Sequence, residues 1–295
     1  MGTPDPTQYH PLKAAIWMIG AIVAFSSMAV GGRSLSGELD TFEIMFYRSL
    51  IGFALVIAIA SAGGTINQIR TDRLGLHFIR NLCHFFGQNL WFFAIATIPL
   101  AQVFALEFSS PLWVTLAAPL FLGERLTATK LFCALVGFGG IMVVARPDLS
   151  SLDPGLIAAA LAAIGFAGSA IFTKMLTRDQ SITCILFWLT GMQLVFGLIT
   201  AAGDGDLALP SAPLWPWVVL VAIAGLVGHL CLTKALTLAP ATMVMPFDFL
   251  RLPVIAIIGM LAYGEPLNIY VLIGAAIIFG ANYLNIWTDT KSRRK

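Results

Sequence analysis

Four ionisable residues stand inside long apolar stretches of the chain, where they could bind a polar solute or carry a proton. They are Arg48, Glu107, Asp248 and Arg251. A charge at the centre of an apolar layer costs roughly 2.5–3.5 kcal/mol on membrane-insertion scales, so such residues usually pair or line water. Arg48 and Glu107 lie at similar depths and are expected to pair between helices, whereas Asp248 and Arg251 are spaced to pair on one helix. Roles as structural ion pairs, in proton coupling and in substrate coordination all stay open.

Prolines accompany both acids. Pro111 removes the helical hydrogen bond to the carbonyl of residue 107, and Pro253 removes the bond to residue 249. Pro246 marks a further break. Openings of this kind are tolerated in apolar surroundings where they face a neighbouring helix, ordered water or a cavity. We therefore expect helix breaks beside the acids, with a nearby serine filling the gap as the alternative.

Aromatic and polar side chains supply further candidates for binding. In the segment HFFGQNLWFF, the spacing of His84, Gln88 and Trp91 places them on one helix face. Aromatic rings stack on flat solutes and hold cations by their faces. The alternative is that these side chains only pack helices together. The remaining candidates for substrate contact are Phe25, Ser110, Trp113, Phe166 and His229.

The composition is that of an integral membrane protein. Of the residues, 58% are hydrophobic and 11% charged, and the mean hydropathy is +0.88, whereas soluble domains carry about a quarter of charged residues. A formal net charge of +2 gives no basis for nucleic-acid binding. The four cysteines show no CxxC spacing, so neither disulfides nor a metal site is expected. Lipid and a small-molecule substrate are the expected partners, without a cofactor.

Turn residues and charges cut the chain into ten apolar runs, each long enough to cross a bilayer. We therefore predict an all-α polytopic membrane protein. The basic tail KSRRK places both termini in the cytoplasm by the positive-inside rule. The runs start near Ala14, Thr41, Leu76, Ala101, Lys130, Pro154, Ser181, Leu214, Ala241 and Asn268.

The chain repeats itself at an offset of 141 residues. The register places Phe25 on Phe166, Glu107 on Asp248, and Glu124 on Glu265. It divides the chain into residues 1–150 and 151–295. Five spans per copy is an odd number, so the second copy enters the membrane inverted. Inverted repeats are typical of secondary transporters whose substrate site lies near the midplane between the halves.

One motif occurs in both copies: Ala-x4-Pro, an apolar span, Gly-Glu and a glycine-bearing last helix. With its two copies in one register, the chain resembles the EamA family of the drug/metabolite transporter superfamily. The resemblance implies a bacterial inner-membrane protein that exports small metabolites, with aromatic and other neutral amino acids as the closest cargo. Riboflavin or a drug-like cation is the alternative cargo. The motif residues are Ala94, Pro99, Gly123, Glu124, Ala235, Pro240, Gly264 and Glu265.

Other function classes have less support. The chain lacks HExxH, GxSxG and the phosphate-binding loop GxxxxGK[ST], so neither an enzyme nor a nucleotide-driven pump is expected. A channel is the second alternative, although inverted halves favour alternating access.

Overall fold

The computed structural model describes residues 10–121, 127–146, 153–203, 207–238, 247 and 250–293. Across these ranges the chain is helical and contains no strand, which confirms the all-α prediction. The helices, in chain order, are α1 Pro11–Leu35, α2 Thr41–Ala62, α3 Leu74–Thr97, α4 Leu100–Glu107, α5 Ser110–Phe121, α6 Ala128–Ala145, α7 Pro154–Leu176, α8 Ile182–Ala201, α9 Trp215–Leu238, α10 Arg251–Tyr263 and α11 Ile269–Arg293.

Several helices are long and apolar enough to cross a membrane. Six such segments occur among the described residues, and three shorter apolar helices accompany them. The protein is therefore a multi-pass membrane protein, while the total of ten spans stays a prediction. The six segments are Leu12–Leu35, Thr41–Ala62, Leu100–Phe121, Pro154–Leu176, Ile182–Ala201 and Ala212–Leu232, and the shorter helices are Ala128–Val144, Arg251–Tyr263 and Ile269–Asn285.

Side chains at equivalent positions of the two copies start two of the helices. Asp40 accepts a hydrogen bond from the Glu43 amide at 2.8 Å, and its own amide donates to the Glu43 carboxylate at 2.9 Å, forming a capping box before α2. Ser181, which the 141-residue offset matches to Asp40, caps α8 by accepting from the Cys184 amide at 3.1 Å. The repeat thus preserves a helix start with a different capping residue.

The helix bounds follow the internal repeat. Adding 141 to the bounds of α3 gives 215 and 238, which are the bounds of α9. The same shift carries the first residue of α5 to the first residue of α10, and that of α6 to that of α11. The register found in the sequence therefore holds for these helix bounds.

Each main helix pairing joins the two copies. α1 packs against α9, α3 against α7, α2 against α8, and α6 against α11, while α10 lies against α4. Helices of one copy consequently pack mainly against helices of the other. The interior belongs to both of them, and neither encloses a core of its own.

Glycines allow the closest of these crossings. A Cβ atom at Gly165 of α7 would lie 2.7 Å from the Cα atom of Gly87 on α3 and 3.0 Å from the carbonyl oxygen of Cys83. A Cβ atom at Gly274 of α11 would lie 2.6 Å from the carbonyl oxygen of Gly140 on α6. Small residues at such contacts let membrane helices approach closely.

An ion pair fastens the copies at one end of the bundle. Arg33, in the last turn of α1, pairs with Glu265, which follows α10. Arg33 also donates to the carbonyls of Ile95, at 2.6 Å, and Ile98, while Glu265 accepts the amide of Leu100 at 2.9 Å. These bonds satisfy polar groups where α3 ends and α4 begins.

We expect Gly165→Ala to lower the free energy of unfolding by about 1–3 kcal/mol, because the added methyl group meets backbone atoms that cannot move aside. The measurement is thermal unfolding of purified protein in detergent. Gly139→Ala is the matched control, since no atom lies within 4 Å of a Cβ built there. Equal stability of the two variants would contradict the close crossing of α3 and α7.

We expect Glu265→Gln to cost about 1.5–3 kcal/mol of stability, because Arg33 loses its charged acceptor while both side chains stay mostly shielded from solvent. Unfolding midpoints of wild type, Glu265→Gln, Arg33→Gln and the double variant measure the coupling between the two groups. If the single losses simply add in the double variant, the ion pair contributes nothing.

Candidate functional site

The fourth apolar run is interrupted next to its acid. α4 ends at Glu107, and α5 begins at Ser110. The freed carbonyl of Phe108 accepts a hydrogen bond from Asn282 Nδ2 of α11 at 2.8 Å, and Ser109 Oγ donates to the Leu106 carbonyl at 2.6 Å. Ser109 of the first copy and Asn282 of the second copy thus satisfy carbonyl groups at the break between α4 and α5.

Pro111 and Pro253 each lie in the first turn of a helix. Pro111 is the second residue of α5, and Pro253 is the third residue of α10. A first-turn proline lacks an amide hydrogen that the helix would not use, so neither residue distorts its own helix. Pro246 and Asp248 lie outside the described residues, as does the carbonyl of residue 249.

Trp91 and Arg251 contact the Glu107 carboxylate, and among the described residues Arg48 does not. Trp91 Nε1 donates to Glu107 Oε2 at 2.7 Å, and Arg251 Nη2 lies 3.3 Å from Glu107 Oε1. The expected pairing of Arg48 with Glu107 is therefore not observed. The start of α10 brings Arg251 to the broken end of α4, so the second copy supplies the counter-charge instead.

Aromatic rings of the first copy enclose Arg251. Its guanidinium carbon lies 5.0 Å from the ring centroid of Phe25, 5.3 Å from that of Phe104 and 5.2 Å from that of Phe108. Arg251 is 5% exposed. Ring faces attract cations most strongly where water is excluded, so this cage and Glu107 together stabilise the buried charge.

The predicted face of α3 points into the interior. His84, Gln88 and Trp91 are all buried. The His84 ring centroid lies 6.0 Å from that of His229 on α9 and 6.1 Å from that of Phe166 on α7. Rings from both copies therefore meet beside the polar groups of α3.

Phe25 completes this group of rings. It meets His229 edge-on, with 5.2 Å between ring centroids. We name Phe25, His84, Phe166 and His229 the ring cluster. The cluster draws on α1, α3, α7 and α9, which form two of the pairings between the copies.

Two candidates lie elsewhere. Trp113 of α5 packs edge-on against Phe138 of α6, with ring centroids 4.6 Å apart. Ser110 is half-buried at the first residue of α5. Among the described residues no ring contact joins Trp113 to the ring cluster, so the sequence grouped side chains that the fold separates.

Two buried polar residues of α3, one turn before His84, were not predicted from the sequence. Arg80 and Asn81 continue the face of His84 toward the start of the helix and are buried. Arg80 Nε donates to Thr173 Oγ1 at 3.0 Å, and Asn81 Nδ2 donates to the Trp188 carbonyl at 3.1 Å. The three-and-four spacing in IRNLCHFFGQ already contained this signal.

The chemistry of the site is that of binding. Its groups are guanidinium and imidazole donors, an indole N–H, one paired carboxylate and several aromatic ring faces. Within the described ranges no three His, Cys, Asp or Glu side chains are grouped to hold a metal ion. Ring faces can contact a flat solute, and the N–H groups can donate hydrogen bonds to its polar edge.

Curated relatives match almost the whole chain. The Riboflavin transporter of Brucella anthropi is 29% identical over 283 residues, covering 94% of this chain and 99% of its own length. The S-adenosylmethionine uptake transporter of Rickettsia bellii is 27% identical, covering 95% of each chain. The Pseudopaline exporter of Pseudomonas aeruginosa is 27% identical, covering 90% of this chain and 94% of its own. None of these names is that of an aromatic amino acid exporter.

The fold and the family agree with these relatives. A solved crystal structure superposes with a TM-score of 0.62 and 20% identity, covering 92% of this chain and 95% of its own, which shows the fold alone. The EamA-like transporter family matches residues 12–146 and 153–287. Both copies of the repeat carry the match, and the chain therefore belongs to the EamA-like transporter family.

Proposed function

We propose that this transporter carries a flat aromatic metabolite of the riboflavin type across the bacterial inner membrane. The observation that carries the proposal is the ring cluster, in which aromatic rings of both copies meet beside polar groups of α3. Ring faces stack on a planar solute, while guanidinium and imidazole donors fix its polar edge. The name of the Brucella anthropi relative supports this cargo class.

The contacts of Glu107 make an amino acid a weaker candidate cargo. Export of an aromatic amino acid, which the family resemblance implied, needs a carboxylate that accepts the ammonium group. Glu107 is already held by Trp91 and Arg251, and Asp248, the other predicted acid, lies outside the described residues. The names of the relatives give amino-acid export no support either, so a riboflavin-like solute ranks before tryptophan.

We further propose alternating access between the two halves, residues 1–150 and 151–295, with both termini in the cytoplasm. Inverted repeats that exchange helices around a midplane site favour this mechanism over a channel. The candidate contacts are the ring cluster with Gln88 and Trp91. Alternating access is reversible, so the gradients of cargo and of any coupled ion set the net direction of transport.

We expect purified protein in liposomes to show saturable riboflavin counterflow. Tryptophan and S-adenosylmethionine, offered in the same panel, test the amino-acid and cationic alternatives. Phe166→Ala is expected to weaken transport about three- to tenfold, because one stacking face is lost. Phe132→Ala, on a lipid-exposed side chain of α6, is the matched control. Ohmic single-channel currents would reject the carrier mechanism.

We expect Glu107→Gln to cost about 3 kcal/mol of stability, because Arg251 keeps its buried charge and loses this counter-charge. Trp91→Phe removes one donor to the same carboxylate and is expected to cost less. Thermal unfolding in detergent measures both, and a Glu107→Gln/Arg251→Gln variant is expected to recover part of the loss. A stable Glu107→Gln protein whose transport has lost its pH dependence would instead assign Glu107 to proton coupling.

A further inference from the structure

Two arginines of the first copy, Arg48 and Arg80, have no carboxylate partner among the described residues. Arg80 bonds to Thr173 Oγ1 at 3.0 Å and to Asn81 Oδ1 at 2.8 Å, and Arg48 Nη1 meets Met45 Sδ at 3.4 Å. Every one of these acceptors is neutral. Across the described ranges, the ion pairs of the protein involve neither Arg48 nor Arg80.

Arg48 lies on the side of α2 that faces the interior. Met45, Ser49 and Gly52, on the same side of this helix, are buried, yet Arg48 itself stays partly exposed. Its guanidinium lies against α9, where a Cβ atom at Gly225 would stand 3.1 Å from Nη2 and 3.2 Å from Nε. The group is thus held near the protein interior with donors to spare.

The positive charge lies beside the ring cluster. Arg48 lies against Gly225, which precedes His229 by one turn on α9, and Arg80 precedes His84 by one turn on α3. His84 is 4% exposed, and its Nε2 atom has no hydrogen-bond partner. Aromatic faces, two arginines and an unsatisfied buried nitrogen therefore converge on one region.

The internal repeat shows that these two positive charges have no equivalent at the matching positions of the second copy. The 141-residue offset matches Arg48 to Leu189 and Arg80 to Val221, so the second copy has apolar residues where the first has cations. Two cations held in an apolar interior without a protein anion are costly, and a bound group that brings negative charge or oxygen acceptors offsets that cost. A cationic group would increase it.

We infer that Arg48 and Arg80 form a subsite for oxygen acceptors of the cargo, namely carboxylate or ring-carbonyl oxygens attached to a flat aromatic system. This inference rests on the proposed function, because it assigns the polar edge of the solute that the ring cluster stacks. Arginine presents its donors in a planar fork that matches paired oxygens. The subsite discriminates against aromatic cations and orients the cargo toward α2 and the early part of α3.

A pair of ligands with the same ring and opposite charge tests the subsite directly. The probes are 2-naphthoate and 2-naphthylmethylammonium, and the readout is thermal stabilisation of the purified protein in detergent. We expect stabilisation by the carboxylate and little by the ammonium. Equal stabilisation, or a preference for the cation, would overturn the inference.

Variants connect that preference to the two arginines. Arg48→Gln and Arg80→Gln are each expected to weaken naphthoate binding about tenfold or more, because a charged donor is lost. Arg48→Lys keeps the charge without the planar fork and is expected to fall between. Gly225→Ala crowds the Arg48 guanidinium and is expected to weaken binding without removing any charge. Arg178→Gln, on an exposed residue after α7, is the matched control.

The outcomes separate this inference from the proposed cargo. Naphthoate binding that depends on the arginines, without riboflavin transport, keeps the subsite and rejects riboflavin. Riboflavin transport that is unchanged in folded Arg48→Gln protein rejects the subsite and keeps the cargo. If Arg80→Gln fails to fold because Thr173 and Asn81 lose their partner, Arg48→Gln and Gly225→Ala still decide.

Discussion

The close crossing of helices from opposite copies is the constraint on which the rest of the protein depends. α3 meets α7 at a point where glycine hydrogens replace side chains, and α1 meets α9 beside the ring cluster. In a bilayer, van der Waals packing between such surfaces drives helix association, because lipid is as apolar as the helices themselves. These crossings bring together side chains that are far apart in the sequence. The candidate site is consequently formed by helices of both copies.

Charges in the interior fall into two groups with different physics. Glu107 and Arg251 satisfy each other across the copies, with an indole donor and three rings as supporting contacts. Arg48 and Arg80 have neutral acceptors in the described part of the chain. The first group supports the broken helix, and the second leaves positive charge beside the rings. Arg80 also holds Thr173 and Asn81, and the proposed subsite would give both arginines an oxygen acceptor when cargo binds.

The organisation of the fold was readable from the sequence, because the repeat conserves both the apolar runs and the turns between them. The offset predicted that α3 and α9 correspond, and the helix bounds agree. Which helices pack together was not readable. Lipid and a neighbouring helix make the same demand on an apolar face, so the hydropathy pattern alone does not distinguish them.

The site was predicted in part for a similar reason. Depth in the membrane can be estimated from the sequence, but two residues at one depth meet only if both helices are adjacent and correctly rotated. Arg48 and Glu107 lie at similar depths but do not meet. Arg251 lies beside Glu107 instead. Trp113 faces α6 for the same reason. Arg80, by contrast, was readable from its spacing relative to His84.

The exchanged pairing has a consequence for biogenesis. The ribosome synthesises α1, α2 and α3 before α7, α8 and α9. The polar face of α3 is therefore covered only after the second copy has been made. Contacts distant in sequence form late, because the intervening chain must first be ordered. Maturation is therefore completed only when the second copy has been inserted. A nascent chain that stalls after its first half lacks the partners that α7 and α8 supply to Arg80 and Asn81.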